Sequence, residues 1–313
     1  MAKINTRQAI PLGIFIFSFI LFSVKTASFL TFHNMISILS LLTSTAVPAV
    51  GLAAVMLTGL FDLSFVGVIG VLSTLLLVCL NAGVPAVFCL LITLLAALVM
   101  EAINSVLIIR LKIHPWLSTI ATMLMYLGME KYISRGSYLT SKHPILVSMR
   151  FNSLFGISLS VWMMVFFCIL AVVIMNTTVL GKRLYAVGGN EAAARKAGIN
   201  TDAYKTVSFM IMGILCWAAS IIYVAQLSGY PPEAAYINQN EVILAVFVGM
   251  AISRMGIVNI HGALFGAAFV GILSNGLGLM GVSSYWIKLV EGALVVIVVL
   301  GNSINRGTLV QLE

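Results

Sequence analysis

The sequence predicts an all-α membrane protein, a polytopic bundle of about ten transmembrane helices with some of them broken or kinked. It reads as a single transmembrane domain over residues 1–313. Three observations carry this reading. Of the 313 residues, 61% are hydrophobic and only 8% are charged, against about 25% charged in soluble domains. Apolar runs close to the length needed to cross a bilayer as a helix, about 20 residues, recur along the whole chain. Cations gather in the intervals between those runs, where they set orientation. The net charge of +8 is therefore a topology signal and not a nucleic-acid footprint, and the composition excludes a soluble enzyme.

Each element follows from its own stretch. The first helix is expected near 9–28, after Lys3 and Arg7. It resembles the first half of a signal peptide, but no small-residue cleavage site follows cleanly, so it reads as retained. The second run, 36–58, contains Pro48 and Gly51, and the proline is expected to kink it. Further spans are expected near 66–82, 85–109, 116–133, 159–176, 206–228, 241–253, 258–279 and 285–301. The piece at 241–253 is too short to cross alone and reads as a broken or re-entrant segment joined to its neighbour. Gly262, Gly266, Ala267 and Gly271 put small residues on a run where helices can approach closely.

The longest polar interval, Gly181–Ile199, lies between two apolar runs and reads as a loop. Its tail, Asn190–Gly198, forms a short helix, with Asn190 as N-cap and Gly198 just past the C-terminus. With the N-terminus inside, the inner segments hold Lys3, Arg7, Arg110, Lys112, Lys182, Arg183, Arg195, Lys196, Lys205, Arg254 and Arg306. The outer ones hold Lys25, Lys131, Arg135, Lys142, Arg150 and Lys288. The bias places both termini, and the interval around Gly181, in the cytoplasm.

Chemistry-bearing residues are few. No GxxxxGK[ST] segment is present, so any ATP use belongs to another chain. Gly276, Gly278 and Gly281 spell GxGxxG, but they end an apolar run instead of joining a strand to a helix. Cys79, Cys89, Cys168 and Cys216 have neither metal nor disulfide spacing. His33, His114, His143 and His261 sit near span ends and form no catalytic set. Trp116, Trp286, Tyr132 and Tyr285 fit interfacial belts. The carboxylates at membrane depth are Asp62, Glu101, Glu241 and Glu291. Asp62 either caps the following helix or lines a solute route. Glu291 is expected to pair with Lys288. Glu101 has no evident partner in sequence, and its role stays open between structure and function. No catalytic residue, metal site or bound cofactor is predicted.

Five stretches, in order, resemble the ribose-type monosaccharide permeases of bacterial ABC importers. They are LTGLFDLSF (Leu57–Phe65), INSVLIIRLKIHPWLSTIATMLMYLG (Ile103–Gly128), GKRLYAVGGNEAAARKAGI (Gly181–Ile199), GALFGAAFVGILSNGLGLMGVSSYW (Gly262–Trp286) and LVEGALVVIVVL (Leu289–Leu300). The chain departs from the family pattern at three places. Thr58-Gly59 and Phe61 replace a glycine pair and an isoleucine before the aspartate. Glu101 stands where a glycine is usual. The stretch Val246–Asn259 keeps Gly249 and Gly256 but lacks the family's glycine doublets.

The resemblance implies a multi-pass permease subunit in the bacterial cytoplasmic (inner) membrane, for a monosaccharide or similar small polar solute. It implies that separate ABC ATPase subunits hydrolyse ATP and that an extracytoplasmic solute-binding protein delivers solute. A second permease subunit would complete the pathway, and the missing glycine doublets of Val246–Asn259 together with Glu101 favour a different chain over an identical copy. It points to Asn190, Glu191, Ala193, Ala194 and Gly198 as the ATPase-coupling segment. Asp62, Glu101, Asn104 and Asn275 are the candidate translocation path or polar core. A nucleoside importer permease is the alternative within this class, and an ion-coupled secondary transporter would rest on Glu101.

Overall fold

The computed structural model describes residues 6–253 and 256–305. The chain forms α1 (Thr6–Lys25), α2 (Phe32–Met56), α3 (Phe65–Asn81) and α4 (Ala86–Ser105), the last continued by a π-helical turn, Val106–Arg110. Then come α5 (Pro115–Ser134), β1 (Leu139–Thr140), α6 (Pro144–Phe151), β2 (Ser153–Leu154), β3 (Ile157–Ser158), α7 (Leu159–Thr177), α8 (Val179–Gly189), α9 (Glu191–Lys196) and α10 (Thr201–Leu227). The chain closes with β4 (Gly229–Tyr230), α11 (Ala234–Ile237), α12 (Gln239–Ile252), α13 (Ile260–Leu279) and α14 (Ser284–Asn305). Each of the ten expected apolar runs is a helix here. Five of them, α2, α4 with its π-turn, α7, α10 and α13, are long and apolar enough to cross a membrane. α3 and α12, and α1 from Pro11, are apolar but shorter.

Local chemistry sets the boundaries. Thr31, Asn200 and Asn259 accept hydrogen bonds from the amides of Asn34, Ala203 and Gly262, capping α2, α10 and α13. Pro115 and Pro144 occupy first helical positions, where the missing amide costs nothing. α2 runs through Pro48. At 14 residues α12 is about 21 Å long. It follows the four-residue α11 and not a continuous helix, so the expected short, broken segment is present.

α2, α3 and α10 form the buried centre of the bundle: Val47–Ala54, Val66–Leu72 and Ala218–Val224 are almost wholly excluded from the surface. The small residues expected to bring helices together do so. A Cβ on Gly249 would overlap the backbone of Gly262, and one on Gly266 would overlap that of Ala245, so α12 and α13 meet backbone to backbone. Gly256 turns the chain between them at φ +64°.

The helices alternate in direction, which gives the bundle two ends. At one, Asn176 bonds His261 at 2.8 Å, and Phe61 stacks on Trp116 with centroids 4.9 Å apart. At the other, β1 pairs antiparallel with β4, Asn81 donates to the Thr140 carbonyl at 2.8 Å, and Tyr138 donates to that of Leu227 at 2.6 Å. The polar interval around Gly181 is at the first end and residues 135–158 at the second, as the charge pattern requires. Of the cations used in that pattern, Lys3, Arg254, Arg306 and the side chain of Arg7 lie outside the described residues. The second end carries structure the sequence did not announce: α6, the β2–β3 hairpin and the β1–β4 pair.

Replacing Gly266 with alanine forces a methyl into the Ala245 backbone and is expected to destabilise the α12–α13 pair by about 1–3 kcal/mol. Gly292→Ala on α14, where a Cβ meets nothing, is expected to be nearly silent. Thermal unfolding of the two variants side by side checks the contrast, and equal midpoints would disprove the backbone contact.

Candidate functional site: a projecting helix and a buried carboxyl cluster

The polar interval is more ordered than its sequence suggests. A loop was expected up to Asn190, but Val179–Gly189 is helical. Thr178 caps it by accepting from the Gly181 amide. Leu184 and Val187, three residues apart, are buried against the bundle. Gly188 presses on the turn between α2 and α3, where a Cβ would overlap the Leu57 carbonyl.

At Asn190 the backbone turns extended, φ −159°, and a second helix starts. The Asn190 side chain accepts from the Ala193 amide at 2.9 Å. Gly198 adopts φ +80° just past the end of α9. Its amide donates to the Arg195 carbonyl at 3.1 Å, and the Ile199 amide donates to Ala194 at 3.0 Å, the paired closure that a left-handed residue permits. The expected caps are therefore both in place.

Glu191 fastens this helix to α10. Lys205 donates to it at 2.7 Å, Arg195 at 3.1 Å and Thr201 at 3.3 Å, while Arg195 also reaches Thr201 and Asp202. The hydrogen bond from Lys205 is the largest cause holding the Glu191 carboxyl below its ordinary range. Ala192, Ala193 and Lys196 face outward. Ala194 does not: at 5% exposure it is turned into its own chain, which removes it from the surface offered to a partner. Beside α9, a cleft of about 450 Å³ opens between the π-turn and the start of α10, lined by Ser105, Arg110, Asn200, Asp202 and Thr206 among others.

The second group lies inside the bundle at the same end. Asp62 is in the non-helical turn Leu57–Ser64. It does not cap α3 directly. Its Oδ1 accepts from the Ser64 amide at 2.8 Å and the Ser64 hydroxyl at 2.7 Å, closing a local turn before the helix. Asn104 donates to Ser64 at 2.7 Å and to Glu101 at 3.1 Å, and Thr122 donates to Asn104 Oδ1 at 2.8 Å. Glu101 thus has a partner three residues along its own helix, which the sequence reading missed. Asp62, Glu101, Asn104, Thr122 and Ser64 are all buried.

Asn275, grouped with these residues from the sequence, is at the opposite end. It forms a reciprocal amide pair with Asn34, at 3.0 and 2.9 Å, tying α13 to α2. Glu291 pairs with Lys288 at 3.2 Å as expected, but Lys288 also bonds Glu241, and Ser274 donates to Glu291 at 2.8 Å. One further buried carboxyl, Glu130, was overlooked because its neighbour Lys131 makes it read as interfacial. Its Oε1 accepts from the Glu233 amide at 2.6 Å and anchors the chain before α11. His114 and His143 immediately precede α5 and α6.

Residues 34–299 match the family model of the branched-chain amino acid transport system permease component. The chain belongs to this family of ABC importer permeases. Among its relatives is the ribose import permease protein RbsC of Escherichia coli (strain K12), 30% identical over 282 residues, covering 89% of this chain and 88% of that one. RbsC of Bacillus subtilis (strain 168) is 31% identical over 291 residues, covering 92% and 90%. The autoinducer 2 import system permease protein LsrC of Photorhabdus luminescens is 25% identical over 296 residues, covering 95% and 89%. The permease is a component of the bacterial inner membrane, and its relatives are named as transport subunits and not as enzymes. Family membership brings ATPase and binding-protein partners in general terms.

Within the permease, the charged form of Glu191 helps to hold α9 to α10. Because its folded range is depressed, this contribution is present at neutral pH and lost as pH falls through that range. Glu191→Gln is expected to speed hydrogen exchange of the α9 amides several-fold at neutral pH, after correction for intrinsic rates. Unchanged protection would show that the Gly188 seat alone fixes the helix.

Proposed function

We propose that this chain is the membrane-spanning subunit of an ABC importer for a monosaccharide or similar small polar solute, and that α9 is the element docked by the ATPase. The observation that carries the proposal is the construction of α8–α9. It is a capped helix, fastened by a carboxylate network, seated on the α2–α3 turn, and presenting Ala192, Ala193 and Lys196 outward. A small, flat, rigid projection suits insertion into a groove. Its docking transmits motion only through a difference in contact energy between two states of the ATPase. The relatives named for ribose and autoinducer 2 import support a small polar solute.

In this reading the apolar helices cross the bilayer, α12 doing so only as a broken segment together with its neighbour, with the α8–α9 end in the cytoplasm and residues 135–158 outside. A second permease chain completes the pathway. The sequence favoured a different chain in that role, partly to supply Glu101 with a partner. Glu101 meets Asn104 and Asp62 within its own chain, so an identical copy serves equally well.

Ala193→Arg places a bulky charge on the exposed face of α9 without touching the bundle. It is expected to weaken ATPase association at least about tenfold, equivalent to 1.4 kcal/mol, with normal membrane insertion. Wild-type association and solute-stimulated hydrolysis in this variant would remove α9 as the coupling element.

The orientation has its own check. Single cysteines at the exposed positions Lys196 and Lys142, in a cysteine-free background, are treated in intact cells with an impermeant thiol reagent. Labelling is expected at 142 and not at 196, and the reverse pattern would invert the bundle.

A further inference from the structure

Asp62 and Glu101 both have 0% exposure, and their carboxyls are within hydrogen-bonding reach of each other. Their donors are few: Ser64 supplies two hydrogen bonds to Asp62 Oδ1, and Asn104 supplies one to Glu101 Oε2. The remaining oxygens, Asp62 Oδ2 and Glu101 Oε1, meet no donor. No ion pair among the described residues involves either group.

The neighbours on each packed element supply no positive charge. Asn104 comes from α4, Thr122 and Tyr126 from α5, and Cys216 and the close-packed Gly213 from α10. The two titratable members of that set are occupied elsewhere. Tyr126 donates to the Met100 carbonyl at 3.0 Å, and the Cys216 thiol points to that of Phe65.

Two bare carboxylates so placed would repel one another and each bear its full burial cost. One proton resolves both problems. Bound to Glu101 Oε1 and donated to Asp62 Oδ2, it removes one charge, fills both empty acceptor positions and makes a short charge-assisted bond.

We propose that Asp62 and Glu101 are a proton-binding site, and that the shared proton pins the α2–α3 turn to α4. The proton comes from solution, and no other reactant is needed. The turn so held is the one on which Gly188 seats α8, and Phe61 stacks on Trp116 within it. The site therefore makes the platform beneath α8–α9 sensitive to pH at that end of the bundle: raising pH withdraws the proton and loosens the turn. The inference does not depend on the identity of the solute or on the ATPase contact.

The test uses the full-length permease in lipid nanodiscs, with thermal unfolding followed from mildly acidic to mildly alkaline pH. The wild-type midpoint is expected to fall by several degrees as pH rises. Glu101→Gln, whose amide donates permanently, is expected to keep the acidic midpoint and lose most of the slope. The infrared spectrum of the wild type is expected to contain a carboxylic-acid carbonyl band, sensitive to deuterium exchange, that Glu101→Gln removes. An equal pH slope in the two proteins overturns the proposal. If Glu101→Gln does not fold, Asp62→Asn provides the donor from the other side and takes its place. If neither folds, the spectrum is taken on Glu130→Gln, which removes the other carboxyl wholly excluded from the surface: no carboxylic-acid band at neutral pH overturns the proposal, and a band lost at alkaline pH together with the fall in midpoint supports it.

Discussion

The structure depends on satisfying one stretch of irregular backbone, Leu57–Ser64, inside a bundle that faces hydrocarbon. Lipid offers no hydrogen bonds, and each unmet polar group there costs several kcal/mol. Most of this stretch is buried, so the chain has to supply the partners itself. Thr58 returns its hydroxyl to the Val55 carbonyl at 2.8 Å, and Asp62 gathers the amide and hydroxyl of Ser64. Asn104 and Thr122 extend the network to α4 and α5. Three helices are thereby fixed around the turn by polar contacts. These are directional and do not slide as apolar contacts do.

Elsewhere the bundle is assembled by shape. Hydrocarbon tails are as apolar as leucine, so helix association in a membrane rests on close packing and interhelical polar contacts. α12 and α13 achieve it with glycines that bring two backbones together. α1 does it with bulk: Phe15 lies 5.0 Å from Phe265 and 6.1 Å from Phe269, while Phe19 and Phe22 flank Phe29. Gly276 leaves the space that Phe22 enters. The reciprocal Asn34–Asn275 pair then sets the register of α2 against α13 at the far end.

How much of this was legible in the sequence depended on how far the information had to travel. Helix positions follow from apolar runs, and α9 follows from Asn190 and Gly198, because caps are local chemistry. The Lys288–Glu291 pair is also local, three residues along one helix. What failed were pairings across helices. Asn275 looked like a companion of Asn104, but only the alternating direction of the helices shows that they sit at opposite ends. Glu130 was hidden by its charged neighbour, and Lys288 has a second partner, Glu241, 47 residues away. The burial of Ala194 was illegible for a different reason: a six-residue helix is too short for a periodic signal, so its buried side shows only in the folded chain.

The rigidity of α8–α9 has two sources of unequal strength. The ion pairs of Arg195 with Glu191 and Asp202 are largely solvent-exposed, and such pairs contribute about 0–1 kcal/mol each; the Lys205–Glu191 pair is more sheltered on its lysine side. A six-residue helix is not stable alone, so these pairs orient α9 but cannot make it resist a load. The load-resisting contact is the seat, where Leu184 and Val187 are buried and Gly188 meets the Leu57 backbone without an intervening side chain. Backbone against backbone leaves no side chain to rearrange, so α8 and the α2–α3 turn are in direct contact. That turn is in turn bound to α4 and α5 by Asn104 and Thr122. The seat of α8 and the polar network of Asp62, Ser64 and Asn104 thus meet in the same turn.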